Sequence, residues 1–132
     1  MYNHILKVHD QYLAKDMALP QNASQAGNGE TLNFSGSLGG VEVLAEVTGD
    51  IALADTKTLT VGLEHSDSGQ SWEPLGEVCK LTASGPLSIE AGTVLGRFIP
   101  PTDTKALTRA VITTDDAAAS GFLSIYPHYL AR

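Results

Sequence analysis

The lone cysteine and the four histidines are the residues best suited to nucleophilic or metal chemistry, yet neither type is placed for it. Cys79 would need a neighbouring histidine and an electropositive setting to act as a nucleophile. It stands instead in an apolar stretch, which favours a buried structural thiol. None of the histidines has the spacing of a zinc site, so we expect surface or interface histidines and no metal. They are His4, His9, His65 and His128.

Neighbouring aspartates raise the question of calcium or acid–base chemistry. Asp115 and Asp116 are adjacent, and Asp50 and Asp55 lie close together, but EF-hand spacing is absent and the flanking alanines supply no further oxygen ligands. Solvated loop carboxylates are therefore expected. A pair of glycosidase carboxylates stays open as an alternative, although such a pair would require a cleft lined with aromatic residues. No glycine loop precedes a helix in the manner of a phosphate site. We expect no enzyme and no cofactor.

The clearest structural element in the sequence, around which the rest of the chain is organised, is the segment from Lys57 to Gly76. Leu59, Val61 and Leu63 alternate with more polar residues, which predicts a strand with one buried face. Six small or polar residues follow, and the chain then returns, so a β-hairpin is predicted. Its tip resembles the Asp-box hairpin of sialidases and other β-proteins, where the motif is structural. In those proteins the aspartate side chain bonds the turn backbone, the glycine takes a positive φ and the aromatic residue packs beneath. The matching positions are Asp67, Gly69, Ser71 and Trp72.

Short alternating segments continue over most of the chain, separated by glycine, proline and aspartate turns. They predict about eight strands at a spacing of roughly ten residues, which is typical of a sandwich or jelly roll. A jelly roll is favoured over an immunoglobulin-like sandwich because no Cys…Trp…Cys framework is present. We therefore predict an all-β, single-domain antiparallel sandwich, jelly-roll-like, with its β core over residues 31–132.

Residues 1–30 show no sustained periodicity and are predicted to form an N-terminal arm and a polar loop. Two alternatives are open for the arm: a short helix over His9 to Met17, capped by Asp10, or an extended segment. Leu19 and Pro20 end whatever precedes them, because a residue before proline avoids the helical region. The arm packs on its own domain or on a neighbour.

Composition excludes several classes of partner. The chain carries 8 basic and 15 acidic residues, a formal charge of −7, which argues against nucleic acid and against an anionic membrane surface. One cysteine allows no intrachain disulfide. The residues after Met1 do not form the basic n-region and apolar h-region of a signal peptide, so an export signal is not expected. No apolar run is long enough for a membrane-spanning helix.

Several blocks together resemble a known family. FIPPTDTKALTRAVITT is followed by a glycine-led strand over Gly121 to Tyr129, and Lys57 to Glu64 leads into SDSGQSWEPLG. His9 to Ala14 precedes a loop of small residues. In these blocks the chain resembles the small capsid cement (head decoration) proteins of tailed bacteriophages, as described from a Bordetella phage. That family has a proline turn before an Arg-containing strand, matched here by Pro100, Pro101, Lys105 and Arg109.

The resemblance implies a structural virion protein that binds the outside of a phage capsid and stabilises contacts between major capsid protein subunits. It implies self-association as a homodimer or homotrimer, and a location on the capsid exterior after assembly in the bacterial cytoplasm. An acidic body suits the outer face of a shell. Apolar anchors would supply the binding energy, with ordinary core packing as the alternative for each. The candidates are Tyr2, Ile5, Leu6, Tyr12, Tyr126, Tyr129 and Leu130.

A carbohydrate- or receptor-binding β-module is the alternative function. In such a module exposed aromatic rings stack on sugar rings. A flat surface row containing Trp72 and tyrosines would favour this alternative, and a buried Trp72 would disfavour it. A hydrolase on a β-scaffold comes third, since it requires a polar cleft that no motif indicates.

Overall fold

The computed structural model describes residues 12–35, 40–101 and 103–129, and these form two antiparallel sheets packed as a sandwich. The predicted all-β sandwich is confirmed, and no helix occurs within the described ranges. None of these residues therefore belongs to a helix that could cross a membrane. The strands are β1 (Ala14–Ala18), β2 (Ala23–Ala26), β3 (Val41–Leu53), β4 (Thr58–Ser66), β5 (Glu73–Thr82), β6 (Leu87–Ile89), β7 (Val94–Phe98), β8 (Leu107–Thr114) and β9 (Ser120–Tyr129).

The strand pairing is nested from the outside in, which is the arrangement of a jelly roll. One sheet has the order β1-β9-β3-β6, with β7 also paired to β3, and the other has the order β2-β8-β4-β5. The first strand thus pairs with the last, the second with the eighth, and the fourth with the fifth. Nine strands stand where about eight were expected, because β6 and β7 pair in succession with one long strand, β3.

Alternation along β4 and β8 builds the core between the sheets. Leu59, Val61 and Leu63 of β4 are buried, as their spacing predicted, and so are Ala110 and Ile112 of the neighbouring β8. These side chains meet those of β3 and β9 in one apolar cluster that both sheets share. Because the period along a strand is two, the residues between them point outward and are available to build a surface.

The region expected to be an arm and a polar loop contributes both edge strands on one side of the sandwich. The helix considered over His9 to Met17 is wrong for the described residues, because β1 pairs with β9 and Leu13 donates its N–H to Ile125 at 2.8 Å. Asp16 has a φ of 44°, and the register shifts between Ala14 and Met17, which hid the alternation. β2 has the sequence ASQA and is exposed throughout, so only its pairing with β8 makes it a strand.

Aspartates at the sheet ends accept backbone hydrogen bonds. Asp50, Asp55 and Asp115 are exposed, as expected of solvated loop carboxylates, so that expectation is wrong for Asp116 alone. Asp116 is buried, and its carboxylate accepts N–H groups of Ala54 and Ala118, both at 2.8 Å. Asp115 accepts the N–H of Thr58 at 2.7 Å. Such bonds favour the ionised form, so the N–H groups of Ala54 and then Ala118 lower the pKa of Asp116. These carboxylates tie the β8–β9 turn to the β3–β4 connection.

We expect the Asp116→Asn variant to be less stable than the wild type at neutral pH, with the difference shrinking in acid. The folded state depresses the pKa of Asp116, so its contribution is present above the unfolded value of roughly 3.9. It is lost as the pH falls through the lower folded value. Urea unfolding of both proteins between about pH 7 and pH 2 measures the difference. A difference that is constant over this range would contradict the assigned role.

Candidate functional site

The hairpin tip is closed by serines and by the tryptophan indole. Ser66 is buried, and its Oγ accepts the N–H groups of Ser68 and Gly69 at 3.1 and 2.9 Å. The Asp-box pattern assigned that role to Asp67, whose side chain is exposed here, as is Ser71. Gly69 has the expected positive φ, 81°. Its carbonyl oxygen accepts the indole N–H of Trp72 at 3.1 Å, so the turn is locally bonded.

Trp72 is half-buried and lies against the outer face of the four-stranded sheet. The guanidinium of Arg109 sits 4.3 Å from the centroid of its ring, a cation–π distance. Arg109 also bonds Glu64, with its Nε and Nη2 at 2.9 and 2.8 Å from the carboxylate. The sequence left open whether Trp72 is a surface ring available to a sugar or a buried core residue. It is neither, because Arg109 of β8 stacks on its half-buried ring.

The residues suited to catalysis are held apart or already engaged. His65 Nδ1 accepts the backbone N–H of Lys105 at 3.1 Å, and His128 lies 3.2 Å from Glu42. Cys79 is partly buried, and desolvation raises its pKa to about 11, so the thiol is protonated and a poor nucleophile. Over the described ranges no three such side chains group as metal ligands, and no catalytic site is evident. His4 and His9 lie outside the described residues.

The tyrosines proposed as anchors pack on one another in the part of the chain that is described. Tyr126 is 5% exposed, its ring centroid lies 5.7 Å from that of Tyr12, and its hydroxyl donates to Glu46 at 2.7 Å. Burial, followed by the bond to Glu46, raises the pKa of Tyr126. Tyr126 therefore serves intrachain packing, while Tyr12 stays partly exposed. The remaining candidates lie outside the described residues; they are Tyr2, Ile5, Leu6, Leu130 and the side chain of Tyr129.

Two of the depressions on the surface of the described residues are considered as binding sites. The smaller, about 340 Å³, lies on the outer face of the four-stranded sheet, between β2 and β5. Several of its polar groups are bonded to one another or to neighbours: Glu64 to Arg109, and Ser24 Oγ to Thr113 Oγ1 at 2.8 Å. No aromatic residue lines it. This groove therefore offers few free groups to a ligand.

The larger depression, about 520 Å³, lies where the β1–β2 connection meets the start of β9. We call it the Phe122 cleft. Two bonds hold its walls together: Leu19 donates its N–H to the carbonyl of Gly121 at 3.1 Å, and Gln21 Nε2 donates to that of Ala119 at 3.1 Å. Its lining comprises Ala18, Leu19, Pro20, Gln21, Gln25, Ala119, Ser120, Gly121 and Phe122.

Phe122 supplies an exposed aromatic ring at this cleft. Its side chain is 46% exposed, and its strand neighbours are Ala18 and Gly49. The ring packs over Gly49, where an added Cβ would lie 2.7 Å from Phe122 Cδ1, so a larger residue at position 49 would displace the ring. Leu123 and Ile125 point inward, which places Phe122 outward. The alternation along β9 was the available signal for an outward Phe122, whereas the sequence patterns by themselves indicated only a C-terminal strand over Gly121 to Tyr129.

The comparisons with known proteins identify no family. No family model and no curated protein matches the chain. A solved structure, that of PirA, matches over 92% of this chain and 99% of its own, with 16% identity and a TM-score of 0.47. This degree of similarity to PirA does not indicate what the chain does.

The phage cement assignment is wrong, and with it the capsid function. No family model or curated protein supports it, and a solved structure that does match is that of PirA. Two of the blocks behind the resemblance are a turn, in which Thr104 donates its N–H to the carbonyl of Pro101 at 3.1 Å, and the start of β9 at Gly121. Jelly rolls carry many unrelated functions. Self-association, the capsid partner, the virion location and the absence of nucleic-acid and membrane partners stay untested predictions.

Proposed function

We propose that this chain is a non-catalytic β-sandwich module that binds carbohydrate through the Phe122 cleft. The observation that carries the proposal is the exposed ring of Phe122 beside a cleft of about 520 Å³. Ligand sites are typically concave, with apolar walls and a few polar groups. The cleft has this composition, with Leu19 and Pro20 as buried apolar wall and two glutamines beside them.

The chemistry of a sugar ring suits these groups. One face of a pyranose presents C–H groups, which pack on the face of an aromatic ring, while its hydroxyls need hydrogen-bond partners. Phe122 offers the ring, and Gln25 and Ser120 offer exposed polar side chains at the same cleft. Trp72 is stacked by Arg109, and Tyr126 is buried, so both are less suited to this role.

The absence of a reaction in this proposal is supported by the lining itself. None of the residues that line the Phe122 cleft is an acid, a base or a nucleophilic thiol. The chain's cysteine lies in β5, at the edge of the four-stranded sheet opposite to β2, and its thiol is protonated at neutral pH. General acid–base catalysis requires a titratable group within hydrogen-bond reach of the reacting proton. Binding alone is what these side chains can perform.

Replacing Phe122 by alanine is expected to weaken sugar binding roughly tenfold or more, because loss of a central aromatic contact typically costs over ~1.4 kcal/mol. Wild-type protein is first screened on an array of neutral and acidic oligosaccharides. Dissociation constants for the bound glycans are then measured by isothermal titration calorimetry. Ile99→Ala is the matched control, since Ile99 is 51% exposed and does not line the cleft.

Two outcomes would overturn this function. One is an array on which no glycan binds the wild-type protein. The other is binding that Phe122→Ala and Ile99→Ala weaken equally, because the aromatic ring at the cleft would then contribute nothing specific. Binding to a protein receptor that persists after enzymatic removal of its glycans would replace the carbohydrate with a polypeptide ligand.

A further inference from the structure

We infer that the Phe122 cleft selects uncharged saccharides over acidic and amino-bearing ones. This inference rests on the proposed function and names the class of its ligand. Its first support is the lining, which contains no Asp, Glu, Lys, Arg or His. A charged group bound there would lose water without gaining an ionic partner, a cost that hydroxyl groups avoid.

None of the acidic residues close in sequence to the cleft lines it, neither Asp16, two residues before Ala18, nor Asp115 and Asp116. Asp115 and Asp116 precede the cleft wall at Ala119 by only a few residues. Both are engaged with backbone N–H groups, Asp115 with Thr58 and Asp116 with Ala54 and Ala118. Neither lines the cleft. An amino sugar therefore finds no carboxylate inside the cleft to pair with its ammonium group.

The exposed polar groups of the cleft match hydroxyls. A hydroxyl donates one hydrogen bond and accepts others, and an amide side chain likewise carries both donors and an acceptor. The side-chain amide of Gln21 donates one hydrogen bond to the carbonyl of Ala119, which fixes its position in the wall. Gln25 and Ser120 are exposed at the cleft. The formal charge of −7 adds a general repulsion of anionic ligands.

The test compares sugars that differ in charge alone. Wild-type protein is titrated with a neutral oligosaccharide that it binds on the array, with the same backbone carrying a uronic acid, and with its free-amine derivative. We expect both charged forms to bind at least roughly tenfold more weakly, since each carries an uncompensated charge. The dissociation constant of the neutral sugar should change less than about twofold between roughly 50 and 500 mM salt.

A charge-introducing variant provides the second measurement. Gln25→Lys is expected to improve the affinity for the uronic acid form at the expense of selectivity. Gln70→Lys is the control, because Gln70 is also exposed but lies at the distant hairpin tip, and it changes the net charge equally. Equal effects of the two variants would show that the net charge, and not the cleft, sets the preference.

The outcomes separate the inference from the function beneath it. Tight binding of the uronic acid or amino form by the wild type, with Phe122→Ala still defective, overturns only the inferred selectivity. Binding that is indifferent to Phe122→Ala overturns the proposed site itself. Weak binding of both charged forms, together with a specific gain in Gln25→Lys, supports the inference.

Discussion

Replacing Gly121 by alanine is expected to lower the free energy of unfolding by about 2 to 6 kcal/mol. Gly121 has a φ of +118°, a conformation that strains a residue with a Cβ by roughly 1 to 3 kcal/mol. The added Cβ would also lie 2.7 Å from Cα of Ile51. Since Ile51 belongs to the central strand β3, relieving the contact moves backbone, at a further cost of roughly 1 to 3 kcal/mol. Urea unfolding followed by circular dichroism measures the loss.

Gly92→Ala is the control that separates the two contributions. Gly92 has a φ of +95°, and no atom lies within 4 Å of where its Cβ would be. This variant therefore carries the backbone strain without the steric contact, and a smaller loss is expected. Equal losses in both variants would mean that the contact with Ile51 costs nothing.

Replacing Leu123 by alanine is expected to destabilise the protein by about 2 to 5 kcal/mol, the range for deleting a buried leucine side chain. Leu123 is 0% exposed and lies on β9, between its partners Met17 of β1 and Val47 of β3. Its loss leaves a cavity between the sheets. Chemical unfolding at constant pH gives the change, provided that the slope with denaturant is unaltered.

The adjacent residue provides the comparison. Phe122 lies on the opposite face of β9 and is half exposed, so Phe122→Ala should cost less stability than Leu123→Ala although it removes a larger side chain. A larger loss for Phe122→Ala would show that its ring is a packing residue, which would also weaken its assigned role in binding. The two variants thus test the fold and the site with one measurement.

Individual residues show where sequence patterns were sufficient. The alternation of Leu59, Val61 and Leu63 predicted β4 and its buried face, because a period of two has one structural meaning in a sandwich. Turn residues and spacing predicted the jelly roll. The segment ASQA that forms β2 had no such pattern, since both its faces are exposed and its hydrogen-bond partner, β8, lies far away in sequence. Local composition cannot indicate pairing of that kind.

The candidate site was the least predictable part. Its residues come from the end of β1, the β1–β2 connection and β2, and from the β8–β9 turn and the start of β9. These segments meet because β1 pairs with β9 and β2 pairs with β8. Similarly, Arg109 meets Trp72 and Glu64 through strand order, and Asp116 reaches Ala54 across the end of the sandwich. Each partner is too distant in the chain for spacing to reveal it.

The sequence by itself determined that this chain is a β-sandwich with an acidic surface, because side-chain alternation and charge are properties of neighbouring residues. Only the tertiary structure decided which aromatic ring is available to a ligand. Trp72, Tyr126 and Phe122 all carry an aromatic ring, yet one is stacked by an arginine, one is buried and one is exposed beside a cleft. Exposure depends on what the nested strand order brings over each ring, and that is a long-range property of the fold.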